Sequence, residues 1–139
     1  MNENLKFLKE VFESESLPEE SLPEFVFWGR SNVGKSSLIN SITKSKIAKT
    51  SKTPGRTRSL VFFEFEKKIR IIDFPGYGYS KIPKFNEFKI DRLIENYLTQ
   101  RQVLKFIFLL IDARHGIMEI DKKILDQLDK IIKAIKNSY

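Results

Sequence analysis

Residues 29–36 read Gly-Arg-Ser-Asn-Val-Gly-Lys-Ser, which is the composition and spacing of a phosphate-binding loop. Gly29 and Gly34 permit the tight backbone path that points successive N–H groups at phosphate oxygens. Lys35 is expected to neutralise the β- and γ-phosphates of a nucleotide, and the Ser36 hydroxyl to ligate Mg²⁺. The pattern therefore predicts a site for a nucleoside triphosphate and Mg²⁺.

A second candidate motif, Asp73-Phe74-Pro75-Gly76, ends an apolar run. An aspartate at the end of a strand can organise Mg²⁺ through a bound water. Gly76 permits the backbone to come close to a γ-phosphate and to offer it an N–H. An ordinary Pro-Gly turn is the alternative for this stretch taken alone. Beside a phosphate loop, the nucleotide interpretation is favoured.

The loop between these motifs contains Thr53-Pro54-Gly55-Arg56-Thr57-Arg58. A nucleotide switch uses a threonine whose hydroxyl reaches Mg²⁺ only while the γ-phosphate is present. Thr57 is the preferred candidate and Thr53 the second. A polar loop with no ligand role is the alternative.

These motifs together give the predicted site. Lys35, Thr57 and Gly76 are the candidates for action on the reacting phosphate. Ser36 and Thr57 are the expected Mg²⁺ ligands, and Asp73 is expected to act through water. The predicted nucleotide-binding residues are Gly29, Arg30, Ser31, Asn32, Val33, Gly34, Lys35, Ser36, Ser37, Gly55, Arg56, Thr57, Asp73, Phe74, Pro75 and Gly76.

Alternating strands and helices are predicted to position the motifs. The order of elements predicts an α/β fold with a mostly parallel sheet and helices on both faces. The motifs narrow this to a P-loop NTPase fold of the small-GTPase-like kind. Residues 1–22 are predicted to be an acidic arm, interrupted by proline, before a domain at 23–139. The predicted elements are a strand at 24–28, a helix at 37–42, a hairpin at 60–66 and 68–73, a helix at 85–100, a strand at 103–112 and a final helix through Ile120 and Ile135.

Composition excludes several classes of protein. The chain of 139 residues has no cysteine, which rules out disulfides and cysteine-based sites. No apolar run approaches the ~20 residues of a membrane helix, and the acidic N-terminus lacks the apolar segment of a signal peptide. A cytoplasmic protein without a membrane or DNA partner is expected. The one histidine, His115, is expected to have a loop or packing role rather than a catalytic one.

Positive charge is unevenly distributed. The net charge is +7, and from Ser41 to Phe63 there are six basic residues and no acidic one. Such a segment could attract RNA, although a general abundance of lysine explains it equally well. Tyr77 and Tyr79 could stack on RNA bases, but Phe85, Phe88, Tyr97 and Phe106 are interpreted as core or interface residues.

The motifs resemble one family closely. Gly-Arg-Ser-Asn-Val-Gly-Lys-Ser-Ser, Thr-Ser-Lys-Thr-Pro-Gly-Arg-Thr and Asp-x-Pro-Gly-Tyr-Gly-Tyr, in this order, are similar to the EngB-type bacterial GTP-binding proteins, also called YihA or YsxC. Ser-Leu-Pro-Glu-Phe before them and Asp-Ala-Arg-His-Gly after them resemble the same family. The resemblance covers about Leu17 to Asp121.

The resemblance implies GTP hydrolysis coupled to assembly of the large ribosomal subunit, with a requirement in normal cell division and septation. It implies GTP or GDP as ligand, Mg²⁺ as cofactor, and contact with the large subunit or its rRNA. Asn32 matches an asparagine that related GTPases use to hold an activating K⁺ ion. Tyr77 stands where many GTPases have a water-orienting glutamine, so slow intrinsic turnover is expected.

The family's guanine-reading motif, Asn/Thr-Lys-x-Asp, does not occur after Ile111. On this basis the chain is predicted to be a member truncated on its C-terminal side, with an incomplete sheet. Relatives of full length are expected to be monomers, whereas the 103–112 strand would here be an exposed apolar edge that promotes aggregation. Marginal stability, weakened nucleotide affinity and reduced guanine preference are expected to follow.

Two alternatives to a GTP-binding switch stay open at this point. One is a basic ribosome- or RNA-binding module whose damaged pocket no longer turns over nucleotide. The other is a P-loop ATPase or kinase, against which the Asp-x-Pro-Gly motif and the basic threonine loop argue.

Overall fold

A computed structural model describes residues 4–31, 33–48, 58–78 and 84–137 of the chain, with backbone alone at 84–88 and 135–137. Asn32, Gly55, Arg56 and Thr57, together with Thr53 and Tyr79, lie outside the described residues. The strands are β1 (Leu5–Val11), β2 (Glu24–Gly29), β3 (Leu60–Phe65), β4 (Ile69–Asp73) and β5 (Leu104–Leu110). The α-helices are α1 (Lys35–Thr43), α2 (Lys84–Gln100) and α3 (Glu119–Asn137).

The strands form one sheet in the order β1-β3-β4-β2-β5. β2 runs parallel to both β4 and β5, whereas β3 runs antiparallel to β1 and β4. One face of the sheet packs against α2 and α3 and the other against α1. The predicted α/β fold with helices on both faces is therefore confirmed.

The N-terminal arm is one correction to the sequence analysis. Leu5–Val11, predicted as part of an acidic arm at 1–22, is instead strand β1 and pairs with β3 at the edge of the sheet. Only Leu5 and Val11 are buried, at 1% and 0% exposure, and the five residues between them are exposed. The strand therefore lacks the alternation of apolar and polar residues that would have predicted it.

The outer face of β5 is a second difference from expectation. Phe106 was interpreted as a core or interface residue, but its side chain is 61% exposed. It stacks on Phe25 and Phe108 on the side of the sheet that carries α1. In the part of the chain that the structure describes, no strand pairs with the outer side of β5. Tyr97, by contrast, is a core residue as predicted.

A buried ion cluster fixes the start of β2, the strand that leads into the phosphate loop. The Glu24 carboxylate is fully buried and accepts a bidentate pair of hydrogen bonds from Arg101, at 2.9 and 2.8 Å. Arg70 donates to the same carboxylate at 3.2 Å, and the Tyr97 hydroxyl at 2.8 Å. Burial and the Glu24 charge raise the pKa of Tyr97, so its hydroxyl stays a donor. The cluster joins β2, β4 and α2 at one point.

None of the helices among the described residues has the length and apolar character needed to span a lipid bilayer.

Candidate functional site

The phosphate loop connects the end of β2 to the start of α1, as the sequence predicted. Gly34 caps α1 with φ +94°, a left-handed conformation that favours glycine, and its carbonyl accepts the Leu38 N–H at 2.9 Å. A Cβ on Gly29 would lie 2.9 Å from the Leu110 carbonyl oxygen, so a side chain would separate β2 from β5. Both glycines are thus required by backbone geometry, and the N-terminal end of α1 opens onto the loop.

Asp73 lies beside this loop because β4 is the parallel neighbour of β2. Phe27 is the register partner of Asp73, and the Phe74 N–H continues the ladder to the Phe27 carbonyl. The Asp73 carboxylate is 3% exposed and its Oδ1 lies 2.9 Å from Lys35 Nζ. The two motifs predicted separately from sequence therefore meet in a buried ion pair.

Gly76 lies directly against the backbone of the phosphate loop. A Cβ at this position would come within 2.8 Å of Ser31 Cα and 2.9 Å of Ser31 N. The next residue, Tyr77, donates its N–H to the Gly29 carbonyl at 3.1 Å and accepts the Ser31 N–H at 3.0 Å. Arg58 donates to the Gly76 carbonyl. The segment after Asp73 is thus joined to the phosphate loop by a short extension of the sheet.

The donor atoms at this site fit Mg²⁺. The Ser36 hydroxyl at the first turn of α1 and the Asp73 carboxylate at the end of β4 supply hard oxygen ligands in a largely buried setting. Among the described residues, no group of three or more His, Cys, Asp or Glu could hold a metal by itself. A site of this kind suits Mg²⁺, which takes few protein ligands and completes its shell with phosphates and water.

Tyr77 is buried, contrary to the expectation that it could stack on RNA. Its ring is 8% exposed and packs edge-on against Trp28, with ring centroids 5.8 Å apart. Its hydroxyl donates a 2.6 Å hydrogen bond to Asp121 Oδ1. Burial and the Asp121 carboxylate raise the pKa of Tyr77. The Tyr77 hydroxyl is thus bonded to Asp121 within the core, and the slow turnover expected from this residue type stays a prediction.

The remaining predicted residues divide into two groups. Those the structure brings to the loop or its rim are Arg30, Ser31, Val33, Ser37 and Pro75. Of these, Arg30 extends away from the loop toward the residue before α3, where its Nη1 lies 2.9 Å from Met118 Sδ. Phe74 was also predicted to bind nucleotide, but its side chain is fully buried in the core against Trp28 and Tyr97, so only its backbone lies beside the loop. The predictions for Asn32, Gly55, Arg56 and Thr57 fall outside the described residues, so their roles stay predictions.

Three residues that the sequence analysis did not include contribute to the site. Arg58 holds the Gly76 carbonyl, and Asp121 holds Tyr77. The Asn40 side chain pairs with both backbone groups of Ala48, at 2.8 and 2.9 Å, and so fixes where the chain leaves α1. Arg58 could have been identified from the sequence, because it directly follows Thr57, the predicted switch threonine. Asp121 and Asn40 belong to no recognisable sequence motif.

His115 lies in the turn after β5, where its backbone N–H donates to the Asp112 carbonyl. Hydrogen bonds from the Arg114 side chain and backbone lower the pKa of the neighbouring Asp112 carboxyl. The predicted loop role of His115 agrees with this position.

Comparison with known proteins identifies the family that these features match. A family model described as 50S ribosome-binding GTPase matches residues 24–137. The chain is 45% identical over 126 residues to the probable GTP-binding protein EngB of Metamycoplasma arthritidis, an alignment that covers 91% of this chain and 69% of the relative. It is 44% identical over 124 residues to the protein of the same name from Prosthecochloris aestuarii, covering 88% and 65%.

A solved structure agrees with these relatives. The crystal structure of a probable GTP-binding protein engB superposes with a TM-score of 0.56 and 31% identity, covering 76% of this chain and 65% of that one.

The share of each relative that is covered varies. The alignment with the probable GTP-binding protein EngB of Nitrobacter winogradskyi, at 50% identity over 119 residues, covers 55% of that relative. The chain thus spans between about half and two thirds of the length of the curated relatives it matches.

Proposed function

The chain belongs to the EngB family of GTP-binding proteins, within the 50S ribosome-binding GTPases, and on that premise we propose that it binds GTP and GDP with Mg²⁺ at residues 29–37 and 73–76. Gly55, Arg56 and Thr57 are proposed to complete the site when a triphosphate is bound. The proposal extends to hydrolysis of GTP.

The observation that carries this proposal is the 2.9 Å contact between Lys35 Nζ and Asp73 Oδ1. In this contact the lysine of the phosphate loop and the carboxylate of the Asp-x-x-Gly motif meet directly as a buried ion pair. A nucleotide with Mg²⁺ satisfies both groups at once, because phosphate oxygens accept from the ammonium and a metal-bound water donates to the carboxylate.

Each residue then has a defined task. Lys35 exchanges Asp73 for the β- and γ-phosphates, and the Ser36 hydroxyl turns toward the metal. The Gly76 N–H donates to a γ-phosphate oxygen. Bound Mg²⁺ neutralises charge that develops on the phosphates during transfer to water. Asn32 is proposed to hold a K⁺ ion that would help to neutralise this charge, because tyrosine at position 77 is not expected to orient the attacking water.

The proposed cellular role is in assembly of the large ribosomal subunit, and through it in normal cell division and septation. Its partner would be the large subunit or its rRNA, in the cytoplasm. The basic segment between Ser41 and Phe63 supports an anionic partner of this kind.

A fluorescent-GDP titration in Mg²⁺ and K⁺, competed separately by GTP and ATP, tests the binding proposal. We expect GTP to displace the probe at a lower concentration than ATP, with a modest difference because no Asn/Thr-Lys-x-Asp motif follows Ile111. Lys35→Ala is expected to weaken binding of the GTP competitor about 100-fold, since it removes charge-assisted hydrogen bonds to the β- and γ-phosphates. Lys46→Ala removes the same charge from an exposed position outside the loop and serves as the matched control. Absence of binding, or equal displacement by ATP, would contradict the proposal.

Two further measurements test the remaining parts. GTP hydrolysis at equal rates in K⁺ and Na⁺ would exclude the K⁺ role of Asn32.

Co-sedimentation with purified large subunits is expected to require GTP and to be lost in Lys35→Ala. Association that is the same with and without nucleotide would instead indicate a nucleotide-independent RNA-binding module.

A further inference from the structure

Tyr77, the residue after Gly76, is attached to the rest of the protein through both its backbone and its side chain. The backbone of Tyr77 bonds to Gly29 and Ser31 of the phosphate loop, at 3.1 and 3.0 Å. Its side chain passes through the core and donates to Asp121 at the start of α3, 44 residues along the chain. Because Gly76 immediately precedes Tyr77, the position of its N–H depends on both attachments.

The Asp121 attachment is firm. The carboxylate is fully buried, and its second oxygen accepts the Met118 N–H at 2.8 Å, which is the side-chain half of a capping box. An acidic side chain in the first turn is also favoured by the helix dipole. α3 itself packs on the core through Ile120, Ile124, Leu128 and Ile131. Asp121 therefore connects Tyr77 to a helix that is fixed to the sheet.

We propose that Tyr77 and Asp121 are positioning residues that hold Gly76 where its N–H meets the γ-phosphate, and so set the preference for triphosphate over diphosphate. This inference rests on the proposed function, because it assigns a further role at the same site. A diphosphate has no γ-phosphate to accept from the Gly76 N–H. Loss of the Tyr77–Asp121 hydrogen bond should therefore weaken binding of the triphosphate specifically.

A second buried tyrosine provides the matched control. Tyr97 also donates its hydroxyl to a fully buried carboxylate, Glu24 Oε1 at 2.8 Å, in the same core. Its hydroxyl donates to Glu24 and its ring packs on Phe62 and Phe74, none of which belongs to the phosphate loop. Tyr97→Phe and Tyr77→Phe remove the same atom from similar surroundings, and only the second is next to Gly76.

The experiment measures dissociation constants of GDP and of the slowly hydrolysed analogue GTPγS for the wild-type chain and both variants, with thermal melts alongside. For Tyr77→Phe we expect the ratio of GTPγS to GDP affinity to fall about tenfold, the size of effect associated with one hydrogen bond to a charged acceptor. Tyr97→Phe should lower the melting temperature and leave the ratio unchanged.

A double-mutant cycle distinguishes action through the Tyr77–Asp121 hydrogen bond from two independent structural effects. Asp121→Asn should lower the same ratio, and the double variant Tyr77→Phe/Asp121→Asn should lower it no further than the larger single effect. An unchanged ratio in Tyr77→Phe, or equal losses for both nucleotides, would overturn the inference while leaving the proposed function intact. A wild-type chain that binds neither nucleotide would overturn both.

Discussion

Gly76 shows how closely a single residue can be constrained by a neighbouring backbone. The atoms nearest a Cβ at this position are the Cα and N of Ser31, which cannot rotate away as a side chain can. The glycine is therefore required by space as well as by its proposed contact with phosphate.

Substitution of this residue gives the first prediction. Gly76→Ala is expected to push residues 74–77 away from the phosphate loop, with a loss of about 1–3 kcal/mol in the free energy of unfolding and at least a tenfold loss of GTPγS affinity. Urea denaturation and nucleotide titration measure the two effects. Gly116→Ala is the control, because Gly116 has φ +67° but no atom within 4 Å of its Cβ position. Gly76 does not have a positive φ, so a loss of GTPγS affinity in Gly116→Ala equal to that in Gly76→Ala would show that contact with Ser31 is not responsible.

Local motifs at the residue scale could be predicted from the sequence, and remote pairs could not. The loop at 29–36 and Asp73 were found because each role depends on a few consecutive residues between a strand and a helix. Tyr77 and Asp121 were not paired, because their contact depends on how α3 packs. An aspartate in the first turn of a helix is usually an exposed cap, and its sequence gives no sign of burial.

At the scale of elements, the Glu24 cluster determines where β2 begins. One carboxylate is shared by two guanidinium groups and a phenol, and all of them come from other elements or the connections between them. Removing the charge of such a carboxylate leaves buried cations without compensation.

The second prediction concerns this cluster. Glu24→Gln is expected to lower the free energy of unfolding by about 3 kcal/mol, because Arg70 and Arg101 lose their buried counter-charge. Urea denaturation is the measurement. Glu119→Gln removes a charge from the largely exposed pair with Lys122 and should have little effect. If the two variants were equally stable, the buried cluster would have no special contribution.

Edge strands were the least predictable elements. β1 has exposed residues at five consecutive positions, so its pairing with β3 left no periodic pattern. β5 was predicted correctly as a strand and as an apolar edge, and among the described residues it is the last strand of the sheet. The interpretation of Phe106 as a core or interface residue did not predict its exposure, which is 61%, beside Phe108 at 44%. A run of apolar residues shows that a face can be buried, but it does not show what covers it.

The third prediction follows from this edge. An exposed strand with an aromatic face favours pairing between molecules. Phe106→Lys is expected to reduce concentration-dependent association, as measured by sedimentation velocity. Ile132→Lys makes the same change at an exposed apolar site on α3 and should reduce it less. Equal reductions would indicate a general effect of charge.

At the scale of the whole molecule, two buried tyrosines make stability depend on alkaline pH. The pKa values of Tyr77 and Tyr97 lie above the ordinary value of 10.0, chiefly because of burial and also because of Asp121 and Glu24. In the unfolded chain both hydroxyls ionise near pH 10, while in the folded chain they keep their protons. The stabilisation is therefore fully present below pH 10 and is lost as the pH rises above it.

The fourth prediction is the size of this loss. Each tyrosine should lower the free energy of unfolding by about 1.4 kcal/mol per pH unit above pH 10. Urea titrations between pH 9 and 11.5 measure the slope. The double variant Tyr77→Phe/Tyr97→Phe keeps every lysine and should show a clearly smaller slope. Identical slopes would mean that the tyrosines are not responsible.

The fold as a whole was the most predictable feature, since the order of strands and helices restricts the arrangement of a parallel sheet to a few solutions. The position of β1 was not predicted, because β1 pairs with the side of β3 that faces away from β4.

That place has a consequence for the timing of synthesis. β1 is the first strand to be made, but its register partners run from Leu60 to Phe65, some fifty to sixty residues later. At the ~5–20 residues per second typical of translation, β1 waits roughly 3–12 s before its partner exists. During this interval β1, which includes the apolar residues Phe7 and Leu8, has no partner strand. The β1–β3 pair is even so the first pair of strands that synthesis completes, because β4 ends at Asp73 and β5 at Leu110. Until β3 is made, the charges of Lys6, Lys9 and Glu10 disfavour pairing of β1 with other molecules.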